Sequence, residues 1–193
     1  TADFSDATAA VTISLNGEAQ GIASSSSTGT DHLYSIENVV GSRYYDSITG
    51  DANANWIDAG EGKDTVSAGG GNDTIIFDAA DSTIDGGAGT DTLVVRDANL
   101  DLTSGNSPDI SSIEVIDLRG SLGTLLTLDD SSVNDLGLDT SLTVYADSAD
   151  IIDLVGSWTL VGITTADGGL VRSWSSTNTT VEISVDATVR LSG

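Results

Sequence analysis

Hydrophobic positions recur every nine residues through the middle of the chain. Ile48, Ile57, Val66, Ile75, Ile84 and Leu93 each stand among polar neighbours at this spacing. The register runs one step further each way, to Val39 and Leu102, and at Ser111 it meets a polar residue and stops. No sustained i, i+3, i+4, i+7 stripe marks an amphipathic helix anywhere, so the pattern predicts short strands throughout. Ahead of the periodic region, residues 11–15 (VTISL) alternate as a strand, a serine-rich stretch (Ser24 to Ser27) reads as a loop, and residues 36–40 (IENVV) lead into the repeats. Behind it, apolar runs continue at looser spacing. They are 113–118, 125–128, 142–145, 151–154, 158–161 and 181–185, separated by Asp, Ser and Gly turns. A solenoid continued with longer turns and closed by a cap accounts for them most simply, and a small β-sandwich packed on the end is the alternative.

Between Gly41 and Val94 the period resolves into six nonapeptides: GSRYYDSIT, GDANANWID, AGEGKDTVS, AGGGNDTII, FDAADSTID and GGAGTDTLV. Their sixth positions are Asp46, Asn55, Asp64, Asp73, Ser82 and Asp91. The last unit fits G-G-x-G-x-D-x-U-x, a calcium-binding repeat of parallel β-helices, at every position. The expected architecture is all-β: a right-handed parallel β-roll or β-helix with calcium between its turns. It divides into lead-in strands over 1–40, the nonapeptide array over 41–94, and a continuation or cap over 95–193.

Charge narrows the functions open to such a chain. Thirty acids against six bases give a net charge of −24, and 25 of the acids are Asp. Glu favours helices, whereas the short Asp carboxylate suits turns and calcium loops. This surface repels nucleic-acid backbones and anionic membranes alike. With no cysteine, neither disulfides nor a thiolate metal site can staple the fold, and calcium can take that place. No apolar run approaches the length of a membrane span. The sequence has no methionine and reads as a piece of a longer protein, and no secretory signal is expected within this piece.

The nonapeptides resemble those of the RTX family of type I secreted proteins. The resemblance implies a roll in which two repeats make one turn, the first six residues of each forming a loop and the last three a strand. It implies calcium between loops two repeats apart, held by sixth-position side chains and loop carbonyls. One edge then stacks Asp46, Asp64 and Ser82, and the other stacks Asn55, Asp73 and Asp91. Gly60, Gly62, Gly69, Gly71, Gly87 and Gly89 fill the second and fourth loop positions, where backbone approaches the ion. Ser82 carries no charge, Asn55 is a weaker ligand, and Tyr44 and Asn53 replace fourth-position glycines. The best-filled sites are therefore expected at Asp73/Asp91 and Asp46/Asp64, with about three or four ions in all. Asp147 and Asp150 are expected in a solvated turn, with a calcium site as the alternative.

Little else points to chemistry. His32 is the only histidine and is expected on the surface, and no nucleophile elbow is present, so no catalytic role is expected. Trp56 stands beside inward-pointing Ile57 and should face outward, as a sugar-stacking platform or under an adjoining loop. Trp158 and Trp174 are expected in the core of the cap. The flanking runs 36–39, 113–118 and 125–128 resemble the C-terminal region of large RTX adhesins. That resemblance implies a secreted, cell-surface module exported by type I (ABC) machinery and folding on meeting extracellular calcium. A glycan or other surface-ligand module, the repeat module of a secreted enzyme, and an S-layer component are the rival readings.

Overall fold

The computed structural model describes residues 1–96, 99–103, 109–120, 123–136, 141–166, 169–176, 180–184 and 188–192. It is nearly all β and divides into two compact units, Thr1–Leu93 with Pro108–Ser112, and Val94–Ser107 with Ile113–Gly193.

In the first unit the final three residues of every nonapeptide form a strand. These are Ser47–Thr49, Trp56–Asp58, Thr65–Ser67, Thr74–Ile76, Thr83–Asp85 and Thr92–Val94. Only the middle residue of a three-residue strand faces inward, so one aliphatic per repeat suffices to mark its place. Successive strands fall on alternate parallel sheets. Ile48 pairs with Val66 and Val66 with Ile84 on one, while Val39 pairs with Ile57 and Ile57 with Ile75 on the other. All six of these side chains are buried. Two nonapeptides thus complete one coil of 18 residues, as a β-roll requires.

Both flanks join the roll. Val11–Ser14 adds a parallel strand beside Ser47–Thr49, with Ile13 opposite Ile48. Ala2–Asp3 pairs with Asn38–Val40. The serine-rich stretch, expected as a loop, instead ends a strand. Gly21–Ser25 and Gly29–Leu33 form an antiparallel hairpin on Val11–Ser14, because Ala23 faces the core opposite Ile13 and draws its neighbours into the sheet. The nine-residue register does not simply end at Ser111. Ile110 takes the inward place and pairs with Ile84, so the coil lengthens from 18 to 26 residues.

The second unit continues with parallel coil-on-coil pairing. Leu100–Asp101, Leu125–Asp129, Ile151–Val155 and Thr188–Ser192 form one sheet in that order, with Leu126 opposite Ile152. Val115–Asp117, Ser141–Tyr145 and Thr180–Ser184 stack in another. Strands of five residues turn two side chains inward, and Leu126, Leu128, Leu142, Val144, Ile152 and Leu154 are buried. Among the described residues of this unit, antiparallel pairing occurs between Thr159–Ala166 and Gly169–Ser175 and between Gly169–Ser175 and Thr180–Ser184. The expected run 181–185 is realised through Ser184, and Val185 lies outside the described residues.

One helix was not expected. Asp130–Asp135 follows directly on a strand. Asp129 Oδ1 accepts from Ser132 N at 2.7 Å while Asp129 N donates to Ser132 Oγ at 2.9 Å, a reciprocal cap. Six residues are too few to show a stripe, so cap chemistry starts this helix, and Val133 and Leu136 bury its inner side.

Candidate metal centre

The sixth-position side chains are the buried polar core of the roll. Asp46, Asn55, Asp64, Asp73 and Asp91 are all buried. Each carboxylate reaches the coil before it. Asp46 N donates to Asp64 Oδ1 at 2.7 Å, Asn55 N to Asp73 Oδ1 at 2.6 Å, and Asp73 N to Asp91 Oδ1 at 2.8 Å. The expected stacks 46/64 and 55/73/91 are therefore brought together.

The second oxygens differ. Asp64 Oδ2 and Asp73 Oδ2 are buried with no hydrogen-bond partner. Burial pushes both acids up to about 6. A backbone N–H from the neighbouring coil opposes the shift, and nearby carboxylates add to it, Asp46 and Asp78 for Asp64, Asp91 and Asp51 for Asp73. Asp46 is engaged differently. It accepts from Val11 N at 2.7 Å, from Ser42 N, and from Ser42 Oγ at 2.9 Å. Its oxygens thus tie the lead-in strand to the first repeat. Asn55 Oδ1 accepts from Asp51 N at 2.9 Å, leaving Nδ2 buried and without an acceptor.

Glycines bring the loop backbones together. Gly60, Gly62, Gly69, Gly71, Gly87 and Gly89 all have positive φ. At Gly60 (φ +90°) an added Cβ would collide with the carbonyl oxygen of Ser42, and at Gly89 (φ +144°) with that of Gly71. The loop of one coil thus lies directly against the carbonyls of the previous one. Buried carboxylate oxygens lacking a donor, beside loop carbonyls, are an all-oxygen donor set, and it fits a hard divalent cation such as calcium.

Two further carboxylates are buried, Asp81, which the sequence reading passed over, and Asp150, which it placed in a solvated turn. Ser82 stands at the sixth position of its repeat, but its Oγ donates to the Asp64 carbonyl oxygen at 2.9 Å, and it is Asp81 that turns inward. Asp81 Oδ2 accepts from Asp78 N at 3.0 Å, and Oδ1 is buried without a partner. Burial pushes this acid up to about 7, against the Asp78 N–H and with the help of the Asp64, Asp78 and Asp58 charges. The turn expected to be solvated at 147–150 is built the same way. Asp147 N donates to Asp150 Oδ2 at 2.9 Å and Thr124 N to Asp150 Oδ1 at 2.9 Å, with Asp150 fully buried. The shared signal is D-x-A-D ahead of a β-branched pair (Thr83-Ile84 after Ser82, Ile151-Ile152 directly), which a search fixed on position six passes over.

The remaining candidates fall as follows. His32 is exposed, Trp56 is half-buried between Asn38 and Thr74, and Trp158 is buried with Nε1 donating to the Val155 carbonyl at 3.0 Å. Trp174 is only half-buried, less enclosed than a core position. Among the described residues, no helix is long and apolar enough to cross a membrane.

Residues 40–75 and 67–97 match the family model of the RTX calcium-binding nonapeptide repeat (4 copies). That segment, residues 40–97, is similar to the RTX calcium-binding repeat family. RTX repeats are calcium-binding structural modules found in secreted bacterial proteins, and the loops of the matched segment carry the buried Asp46, Asp64, Asp73, Asp81 and Asp91. The search of curated proteins found no match.

Proposed function

We propose that this chain is a calcium-dependent folding and export module of a secreted bacterial surface adhesin. In this reading Asp64, Asp73 and Asp91, with the carbonyls of the glycine-lined loops, hold calcium between coils. Asp46 and Asn55 contribute more weakly, and about three or four ions are bound in all. The observation that carries it is the pair of buried carboxylate oxygens, Asp64 Oδ2 and Asp73 Oδ2, set without partners in the interior of the roll.

The physics then couples metal to folding. A buried ionised carboxylate without a partner opposes the folded state, and a net charge of −24 adds repulsion between stacked turns. A divalent cation removes both penalties together, so its binding free energy becomes folding free energy. Where calcium is scarce, as in the cytosol, the chain remains extended enough to thread a type I (ABC) exporter. Where calcium is abundant, as outside the cell, it folds and serves as a structural segment of the adhesin. Calorimetric titration of the chelator-treated chain tests this. Uptake of three or four calcium ions, with the enthalpy of coupled folding, is the expected result. A chain that takes up none removes the reading.

A further inference from the structure

The fifth nonapeptide departs most from the repeat consensus: of the six it alone has no glycine at all, and neither Asp nor Asn stands at its sixth position. Position counting makes it a break in the calcium ladder. Its folded geometry argues otherwise. Asp81, 5% exposed, points a carboxylate oxygen into the interior with no hydrogen-bond partner. Asp64, 0% exposed and stacked one coil earlier on the same edge, does the same. The two loops are pinned together by Ser82 N and Ser82 Oγ, both donating to the Asp64 carbonyl oxygen at 2.9 Å. Asp78 and Asp58 flank the same loops with further negative charge: Asp78 N holds Asp81 Oδ2, and Asp58 Oδ1 accepts from Gly60 N at 3.1 Å.

The matching loop at 147–150 provides an internal contrast. It has the same turn bonds, Ala149 N to Asp147 Oδ1 and Ala80 N to Asp78 Oδ1, at 2.9 and 2.8 Å. There, however, both oxygens of the buried acid accept backbone N–H groups, from Asp147 and Thr124. The Asp150 loop satisfies its carboxylate with protein alone, and the Asp81 loop does not.

We propose that Asp81, not Ser82, joins Asp64 in holding a divalent cation, calcium by its all-oxygen donors, between the loops 59–64 and 77–82. The assignment rests on the calcium-binding reading above and extends it to a repeat that the consensus discounts. Among the described residues no group of three acidic or histidine side chains forms a metal cluster. The remaining ligands are therefore loop carbonyls and water, as a flexible calcium shell of six to eight oxygens allows.

Native mass spectrometry of the full chain at saturating calcium reads the number of bound ions. Asp81→Asn should carry one ion fewer than the unaltered chain, while Ser82→Ala and Asp150→Asn should carry the full number. An undiminished count in Asp81→Asn, or the loss of an ion in Ser82→Ala alone, overturns the proposal and leaves the general calcium reading standing. An unaltered chain that binds no calcium overturns both. Should Asp81→Asn fail to fold, anomalous diffraction from the unaltered chain grown with manganese decides. A peak between the Asp64 and Asp81 carboxylates supports the site. Peaks at Asp73 and Asp91 with none there overturn it.

Discussion

Asp73 and Asp150 are both buried carboxylates that accept a backbone N–H from the preceding coil, yet they should respond differently to substitution. Asp73 keeps an oxygen free of partners, so Asp73→Ala should raise the calcium concentration needed for folding and reduce the number of ions bound. Asp150 is satisfied by N–H groups. Asp150→Ala should instead cost about 1.5–3 kcal/mol for each hydrogen bond to a charged acceptor and leave the ion count unchanged. Urea unfolding at saturating calcium together with ion counting separates the two, and equal effects on the count would contradict this division. Titration adds a second expectation at this scale. Asp64 and Asp73 rise to about 6 and Asp81 to about 7, above the unfolded value near 3.9. The folded state then holds more protons than the unfolded one. The contribution of these acids to metal-free stability is therefore present below about pH 4 and lost as pH rises through 6 to 7. Calcium competes with those protons, so its affinity should rise between pH 5.5 and 7.5, with proton release on binding. A calcium midpoint that does not move across that interval would contradict the burial of these groups.

The elements were legible wherever one residue decides them. A single inward aliphatic per three-residue strand fixed Ile48, Ile57, Val66, Ile75, Ile84 and Leu93 as core, because a slip of one residue would turn each of them to solvent. Loop glycines were legible too, since a side chain at Gly89 has no room. Gly89→Ala should destabilise the calcium-loaded chain by more than about 1 kcal/mol, read as a lower urea midpoint. What escaped depends on partners distant in sequence or on loops of changed length. Asp81 shifts by one position because its loop closes on Asp78 N three residues back, whereas Asp46 and Asn55 close on residues four back. Asp150 accepts from Thr124 N, 26 residues away, a separation that the 18-residue coil gives no cause to expect. The helix Asp130–Asp135 rests on its Asp129–Ser132 cap. Asp129→Ala should cost about 0.5–2 kcal/mol, within the range for a lost cap. No change in urea midpoint would place the stability of that turn in Val133 and Leu136 instead.

At the scale of the molecule, two ways of satisfying a stacked coil occur in one chain. In the first unit, three-residue strands expose each coil to its neighbour mainly through glycine-lined loops and buried carboxylates, and oxygens such as Asp64 Oδ2 and Asp73 Oδ2 lack a donor. In the second unit, five-residue strands bury two aliphatics apiece, and the acid at 150 is satisfied by backbone. Calcium dependence should therefore concentrate in residues 1–93. Far-UV circular dichroism against free calcium tests the coupling of metal to fold most directly. In chelator residues 1–93 should be largely disordered, the chain gaining β-structure cooperatively between about 0.1 and 1 mM, the range of extracellular calcium modules. Full β-structure in chelator, unchanged when calcium is added, would contradict the account.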